Sequence, residues 1–217
     1  MSTFEKLSNN KGTVSTTLGK ALAKQVLEGQ TGILMECVDL ASYEPSRPEQ
    51  KHIRAGAAKV VEIVAETRPD LVAPFLEKLL PACSVEEPQT RWMVMRTMGF
   101  CAPLNKAAAQ RAIVYAEKYL EDKEGLILAS SADLFLGDFG ALSRRDAHRV
   151  FPILAKSMQH VIENEQDWLL EALYKVYPNV EEVEQEAIRL FAKDWQHSSR
   201  KSTQQRAKRI LKIAVKN

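Results

Sequence analysis

The sequence predicts an all-α protein: a right-handed α–α superhelix (solenoid) of about five helical hairpins plus an N-terminal helix. Apolar residues recur with a period of about 3.6 residues along almost the whole chain, and no stretch alternates apolar and polar residues as a strand would. Helix start and stop residues also recur at a nearly constant step. One hairpin of this size cannot bury its own apolar face, so each is expected to cover the next.

The first helix is delimited by capping residues. Ser15 or Thr16 is placed to cap its start and Gly29 to end it, in keeping with the preferences of these residue types. The sequence therefore predicts an opening helix over about 15–28.

Prolines delimit the next helices. A helix over about 31–42 stops at a segment with two prolines, which interrupt helical hydrogen bonding, and its partner covers about 50–66. Pro69 opens a helix that runs to about Pro81, since proline is favoured at the first helical position. The remaining predicted helices cover about 89–102, 105–121, 124–139, 144–160, 165–177, 180–197 and 202–215.

After the opening helix the predicted helices come in pairs, and each pair consists of a first helix and a second helix. The second helices are those over about 50–66, 89–102, 124–139, 165–177 and 202–215. First helices start near 31, 69, 105, 144 and 180, so the steps are 38, 36, 39 and 36 residues. Two second helices align 37 residues apart, with Arg54 on Arg91 and Lys59 on Arg96. Two first helices place the letters DLVAPF over DAHRVF two repeats later. Matches on both helices at one step indicate an internal repeat.

The paired helices, the leading Arg of a second helix followed by small and branched apolar residues, and the Pro near a first helix resemble HEAT and armadillo-type repeats. The resemblance covers about 31–217. We expect 1–14 to be a flexible segment and 15–217 to form a single HEAT-like repeat domain. The pattern departs at Ile127, at Asp167 and in the last repeat, where the leading Arg is missing or displaced. Such arrays share a shape and differ in their partners, so the resemblance implies a fold rather than a function.

Composition limits the classes of partner. The 217 residues are 45% hydrophobic and 27% charged, and the net charge of +2 exerts no global attraction on nucleic acid or anionic membranes. The apolar runs are much shorter than the roughly 18 residues that a membrane-spanning helix needs. The first twenty residues lack the apolar core of a secretory signal, which predicts a cytoplasmic protein that does not bind membranes.

No catalytic or cofactor motif is present. The sequence lacks H-E-x-x-H, G-x-S-x-G, Walker and G-x-G-x-x-G patterns, which argues against metal, hydrolase and nucleotide sites. The histidines are scattered without a metal-binding spacing, at His52, His148, His160 and His197. The odd number of cysteines and the lack of a C-x-x-C pair predict buried, reduced thiols at Cys37, Cys83 and Cys101. We therefore expect no cofactor and no metal.

Second helices line the concave face of HEAT proteins. The resemblance thus implies a binding surface formed by Arg54, Arg91, Trp92, Asp133, Trp168 and Arg206. Two alternatives stay open. The equivalent arginines of the second helices could instead tie one repeat to the next, and the tryptophans lie in apolar stretches that could be core.

The C-terminal segment is locally basic. It carries a charge of +7 from Arg200 to Asn217, with no acidic residue after Asp194. One interpretation is the polar outer face of a terminal cap. The other is a patch around Lys208, Arg209 and Lys212 that contacts phosphate groups.

The leading hypothesis is a non-enzymatic interaction module that binds a protein or peptide partner on its concave surface. The alternative is a nucleic-acid-binding protein that acts through the basic C-terminal helix. This class includes the HEAT-like DNA glycosylases that remove alkylated bases, with which Trp92, Asp133 and Trp168 are superficially compatible. A third hypothesis is a regulatory or assembly subunit that works as an oligomer.

Overall fold

A computed structural model describes residues 1–9, 16–122 and 125–214. Every regular element in these ranges is a helix, and the chain forms two compact units, 1–115 and 116–217. The predicted Ser15 cap and Lys216 of the basic segment lie outside the described residues. None of the described helices is long and apolar enough to cross a bilayer.

The first unit is built around one central helix, α4. Helix α4 packs against α1, α2 and α3 and against α7. Its burial follows from small and branched apolar residues, which allow neighbouring helices to approach closely. The helices of this unit are α1 (Thr3–Ser8), α2 (Thr16–Leu27), α3 (Thr31–Leu40), α4 (Lys51–Thr67), α5 (Pro69–Val72), α6 (Leu76–Leu79), α7 (Pro88–Cys101) and the first part of α8 (Lys106–Asp122).

The second unit is built around the pair of helices α9 and α11. Helix α9 packs against α10 and α11, and α11 packs in turn against α13. The helices of this unit are the rest of α8, α9 (Leu126–Gly140), α10 (Arg144–Gln159), α11 (Gln166–Val176), α12 (Glu182–Trp195) and α13 (Lys201–Ala214). The all-helical prediction is confirmed for the described residues, whereas the number of hairpins stays a prediction.

Helix boundaries follow the capping residues. The chain leaves α2 through Gly29, whose φ of 108° lies in the left-handed region that glycine adopts without strain. Pro69 is the first residue of α5. Ser143 precedes α10, and its hydroxyl oxygen accepts a hydrogen bond from the backbone N–H of Asp146 at 3.2 Å.

The prediction of one continuous helix from Pro69 to Pro81 is wrong. This segment consists of the short helices α5 and α6, separated by a 3-10 turn at Ala73–Phe75 and followed by another at Leu80–Ser84. Each 3-10 turn has a proline near its start, Pro74 and Pro81 respectively. Proline lacks the N–H that an α-helix needs and clashes with the preceding turn, so the helix is interrupted at both positions.

Helix α1 lies within the segment predicted to be flexible. The Ser2 hydroxyl oxygen accepts a hydrogen bond from the Glu5 N–H, and the Glu5 carboxylate accepts one from the Ser2 N–H. This capping box is readable from the S-x-x-E pattern, which the sequence prediction did not use. Leu7 is buried, and α1 packs on α3 and α4. The rest of the predicted flexible segment, 10–14, lies outside the described residues.

Polar ties connect residues that are one repeat apart within each unit. Their partners are separated by 33 to 38 positions in the sequence, which matches the step of the helix starts. The pairs are Arg54–Glu87, Glu77–Arg111, Glu121–Lys156, Asp138–Lys175, Arg144–Glu181, Asp167–Arg200 and Glu171–Arg209.

The tie between Arg54 and Glu87 is buried. The Arg54 guanidinium donates two hydrogen bonds to the Glu87 carboxylate, at 2.8 and 2.7 Å, and its third nitrogen donates to backbone carbonyls of the loop before α4. Glu87 precedes α7 and also accepts from the Thr90 hydroxyl at 2.6 Å. Burial alone raises the pKa of Glu87, but the hydrogen bonds from Arg54 and Thr90 outweigh it and hold that pKa below its usual value.

The second unit has a counterpart with the charges exchanged. Asp167, in the first turn of α11, accepts hydrogen bonds from Arg200 at 3.0 Å and from Ser202 at 2.8 Å, and another from Thr203. Arg200 precedes α13 as Glu87 precedes α7. Asp167 thus stands where the repeat pattern has an arginine, and it forms the same kind of tie with the charges of the two partners exchanged.

We expect Arg54→Met to lower the free energy of unfolding by about 3–5 kcal/mol, because it leaves the buried Glu87 carboxylate without its partner. Urea unfolding followed by circular dichroism measures the loss. Adding Glu87→Gln should restore part of it. Arg68→Met, which breaks an exposed ion pair with Asp70, is the control and should change stability little. Equal effects of the two arginine variants would contradict the assignment of Arg54 as a structural tie.

Helices α9 and α11 approach closely at a glycine. A Cβ atom at Gly137 would lie 2.6 Å from the Cα of Ala172 on α11, closer than two non-bonded carbon atoms approach. The contact brings buried residues of both helices, including Phe135 and Leu173, into one core. Small residues at this position therefore set the spacing of the two second helices.

Gly137→Ala should destabilise the second unit by about 1–3 kcal/mol, because the added methyl group forces α9 and α11 apart. Gly32→Ala in α3 is the matched control, since no atom lies within 4 Å of a Cβ there, and alanine should be neutral or stabilising. Thermal unfolding of both variants compares them. A Gly137→Ala protein as stable as the wild type would refute the close approach.

Candidate functional site

Three of the residues predicted to form a binding surface lie in the interior. Arg54 and Asp133 are 0% exposed and Arg91 is 8% exposed. Arg54 performs the tying role that was the alternative interpretation, and the Arg91 guanidinium donates to the Glu86 carbonyl at 3.4 Å. The helical period does not distinguish the side that faces the next repeat from the side that faces solvent. None of these three residues enters the surface proposed below.

In the first unit, the surface of α4 and α7 is formed around Trp92. The ammonium of Lys59, on α4, lies 5.4 Å from the centroid of the Trp92 ring and donates a hydrogen bond to Glu62 at 2.7 Å. One and two turns further along α7, the Arg96 guanidinium lies 4.5 Å from the centroid of the Phe100 ring. All five side chains are partly exposed.

In the second unit, the surface of α11 and α13 is formed around Trp168, which is 38% exposed. The Arg206 guanidinium lies 5.4 Å from the centroid of its ring, and that of Arg209 lies 3.7 Å from the centroid of the Tyr174 ring. Glu171 holds both cations in place, because its carboxylate pairs with Arg209 at 2.6 Å and with Arg206 at 3.5 Å. The rings and guanidinium groups form one ordered, partly exposed cluster.

The two tryptophans occupy equivalent positions in the repeat. Trp168 follows Trp92 by 76 residues, which is close to two repeat steps of about 37 residues. Each follows directly after the leading position of its second helix, held by Arg91 and Asp167 respectively. In each unit a cation from the neighbouring second helix lies over the ring. In these two helices the leading position thus faces the interior, and the next position is partly exposed to solvent.

Several other residues of these two surfaces were not predicted from the sequence. Lys59, Arg96 and Phe100 were missed in the first unit, and Glu171 and Tyr174 in the second. For Arg96, Phe100 and Glu171 the available signal was helical spacing, since they follow a tryptophan by three, four or eight positions on the same helix. Lys59 lies on another helix, so only the repeat alignment could have placed it near Trp92.

The basic residues do not gather on one surface. Arg206 and Arg209 pair with Glu171, whereas Lys208 and Lys212 are exposed to solvent on α13. The buried Asp133 carboxylate is not presented to solvent, as a residue acting on a DNA base would be. These placements give no support to the nucleic-acid alternative or to the glycosylase hypothesis.

Asp133 belongs instead to a buried acidic cluster in the second unit. The Ser157 hydroxyl lies 3.4 Å from Asp133 Oδ1 and 3.3 Å from Glu165 Oε1, and Glu165 also accepts from the Ile162 N–H at 2.7 Å. Asn164, with φ of 71°, turns the chain just before Glu165, a conformation that asparagine tolerates. Burial is the larger cause and the charge of the nearby Glu165 carboxylate the smaller one, and together they raise the pKa of Asp133 well above its usual value.

The raised pKa of Asp133 makes stability depend on pH. The unfolded chain loses this proton near pH 3.8, whereas the folded protein keeps it to a higher pH, so the contribution to stability is present below pH 3.8 and is lost as the pH rises toward the folded-state pKa. We expect Asp133→Asn to reduce this loss, which amounts to about 1.4 kcal/mol per pH unit. Its stabilising effect should therefore be larger at pH 8 than at pH 4.

Urea unfolding of the wild type and the variant across this pH range measures the effect. Asp194→Asn, at an exposed position on α12, is the control and should leave the pH dependence of stability unchanged. A destabilising effect of Asp133→Asn that grows with pH would contradict the raised pKa.

Comparison with solved structures finds helical repeat proteins. The chain is similar to an engineered protein at a TM-score of 0.70 and 16% identity, with 100% of both chains covered. It is similar to a designed armadillo repeat protein at a TM-score of 0.65 and 14% identity, over 96% of this chain and 98% of that chain. Another designed armadillo repeat protein, in complex with peptide (KR)4, is similar at a TM-score of 0.69 and 12% identity, over 90% and 89%. No protein-family model and no curated protein matches the sequence.

Proposed function

From the armadillo/HEAT-like helical repeat fold of this chain, an α-solenoid, we propose that the protein is a non-enzymatic module that binds a protein or peptide segment on the surface of its second helices. The observation that carries the proposal is the pair of partly exposed tryptophans at equivalent repeat positions, each with a cation from the neighbouring second helix over its ring. Location of this surface on a concave face stays a prediction.

Tryptophan, tyrosine and arginine dominate the binding energy of protein interfaces, because they combine large apolar area with directional polar groups. Their immobilisation before binding reduces the entropy lost on association. In the second unit Glu171 holds Arg206 and Arg209 against two aromatic rings, so these side chains are already positioned before a peptide binds. A designed armadillo neighbour in complex with a peptide shows that this fold class can hold one.

The charge of the second unit's surface favours an acidic segment. Lys175, Arg206 and Arg209 lie there with Asp138 and Glu171, so the cations outnumber the carboxylates by three to two. A partner carboxylate beside the guanidinium groups would replace part of their hydration with a charge-assisted hydrogen bond. We therefore propose that the segment bound by this unit carries Asp or Glu residues.

Peptides selected from a random display library on the wild-type protein test the proposal. We expect the selected peptides to lose about thirtyfold in affinity, or about 2 kcal/mol, with Trp168→Ala or Trp92→Ala, because the ring supplies the buried centre of the contact. Trp195→Ala is the matched control, since Trp195 is partly exposed on the first helix α12 and packs on Phe191 instead.

Peptides that depend on Trp168 should be enriched in Asp and Glu, and their affinity should fall as salt is added. The second-helix surface would be refuted if the selected peptides bound the Trp92→Ala and Trp168→Ala variants as tightly as the wild type but lost affinity for Trp195→Ala. Basic peptides that depend on Trp168 would refute the acidic partner while leaving the surface intact.

A further inference from the structure

Helix α12 of the second unit presents an apolar stripe to solvent. Val183 is 82% exposed and Leu190 is 53% exposed, and Ala187 between them is partly exposed. Because the three residues follow one another at spacings of four and three, they lie on one face of the helix. The opposite face of α12 buries Ile188 and Ala192, and the helix packs against α13. The described part of the chain therefore leaves the stripe uncovered.

Charged residues along one edge of the stripe are segregated by sign. At spacings of four, three and four residues, the edge carries two acids followed by two bases: Glu182, Glu186, Arg189 and Lys193. The Glu186 carboxylate accepts a hydrogen bond from Arg189 at 2.6 Å. Glu182 and Lys193 are exposed, and their side chains have no hydrogen bond or ion pair with described residues. The helix dipole favours acids at the start and bases at the end, but it does not account for exposed apolar residues beside them.

The charged edge complements its own copy when the two helices run antiparallel. In such a pair, residues at equal distances on either side of the twofold axis face each other. Glu182 and Lys193 lie symmetrically about position 187.5, and the same point is midway between Glu186 and Arg189. An antiparallel copy therefore places each acid of the edge opposite a base of the other copy. A parallel copy would place like charges opposite each other, which is unfavourable.

The apolar stripe fits the same twofold axis. Val183 and Leu190 lie symmetrically about position 186.5, so Val183 of one copy faces Leu190 of the other. Ala187 lies at the axis itself. The distance between two packed helices depends on the side chains at their contact, so a small residue there allows a close approach. Two independent sets of residues, one apolar and one charged, thus agree on one register.

We propose that α12 is an interaction surface for α12 of a second copy of this chain, in an antiparallel, twofold-symmetric contact centred on Ala187. The contact is independent of the proposed second-helix surface, because α12 is a first helix and the Trp168 cluster lies on α11 and α13. One helix per copy is a small interface, so the self-association is weak, with a Kd of about 0.1–1 mM.

Sedimentation equilibrium of the full chain over a range of protein concentrations tests the proposal. We expect a monomer–dimer equilibrium that Leu190→Asp weakens by about tenfold or more, because each copy then places a carboxylate in the apolar contact. Ile127→Asp is the matched control, since Ile127 is an equally exposed apolar residue of the second unit, at 62%, and lies on α9. A wild-type protein that is monomeric up to about 1 mM, or equal losses in the two variants, would overturn the proposal.

Charge reversal tests the register. Lys193→Glu should weaken the dimer by about fivefold or more, because the twofold axis places the new carboxylate opposite Glu182 twice. Adding Glu182→Lys restores opposite charges across the contact and should recover most of the affinity. A double variant that associates no better than Lys193→Glu alone would overturn the antiparallel register.

Disulfide trapping tests the position of the axis. The native cysteines are buried, so a cysteine introduced on α12 is the one available for crosslinking between copies. Ala187→Cys should form an intermolecular disulfide under mild oxidation, since the Cα atoms at the axis come within bonding range. Val183→Cys should not, because a rise of 1.5 Å per residue separates the two copies of this position by about 12 Å along the helices. Equal crosslinking of the two variants would indicate a parallel or unspecific contact and would overturn the proposal.

Discussion

Coverage of each hairpin's apolar face by the next hairpin is the constraint on which the other features of this protein depend. It requires second helices to approach closely, as α9 and α11 do where Gly137 meets Ala172. It also places residues one repeat apart in contact, which is why the polar ties join positions separated by 33 to 38 residues. The step of about 37 residues between helix starts is therefore close to the sequence separation of the residues that form the polar ties.

The same constraint assigns different tasks to adjacent positions of a second helix. In α4 and α11 the leading position faces the neighbouring repeat and holds a tied charged group, Arg54 or Asp167, whereas Ile127 at the leading position of α9 is exposed. The next position is rotated by about 100° around the helix, and in two repeats it places a tryptophan at the surface. At Asp167 and Trp168 a structural tie and a candidate contact residue therefore follow one another in the sequence.

Most helix positions, the repeat step and the fold were predictable because caps, prolines and apolar period are local signals, whereas helix α1 and the interruption at Pro74 were missed. The tie of Arg54 was one of two interpretations that the repeat alignment left open. The burial of Asp133 and the identity of the partners, Glu87 and Glu165, were not predictable, because charged residues are usually exposed and these partners lie about one repeat away. The cations over the rings of Trp92 and Trp168 lie on neighbouring helices, so the pattern of a single helix does not reveal them.

Native-state hydrogen exchange tests most directly whether the second helices form the covered interior. Helix α4 contacts α2, α3 and α7, and α11 contacts α9, α10 and α13, whereas first helices such as α3 and α10 have a more exposed side. The account predicts that amides in the middle of α4, α9 and α11 exchange only through the largest openings of their unit, and more slowly than those in the middle of α3 and α10. Equal or greater protection in α3 and α10 would contradict it.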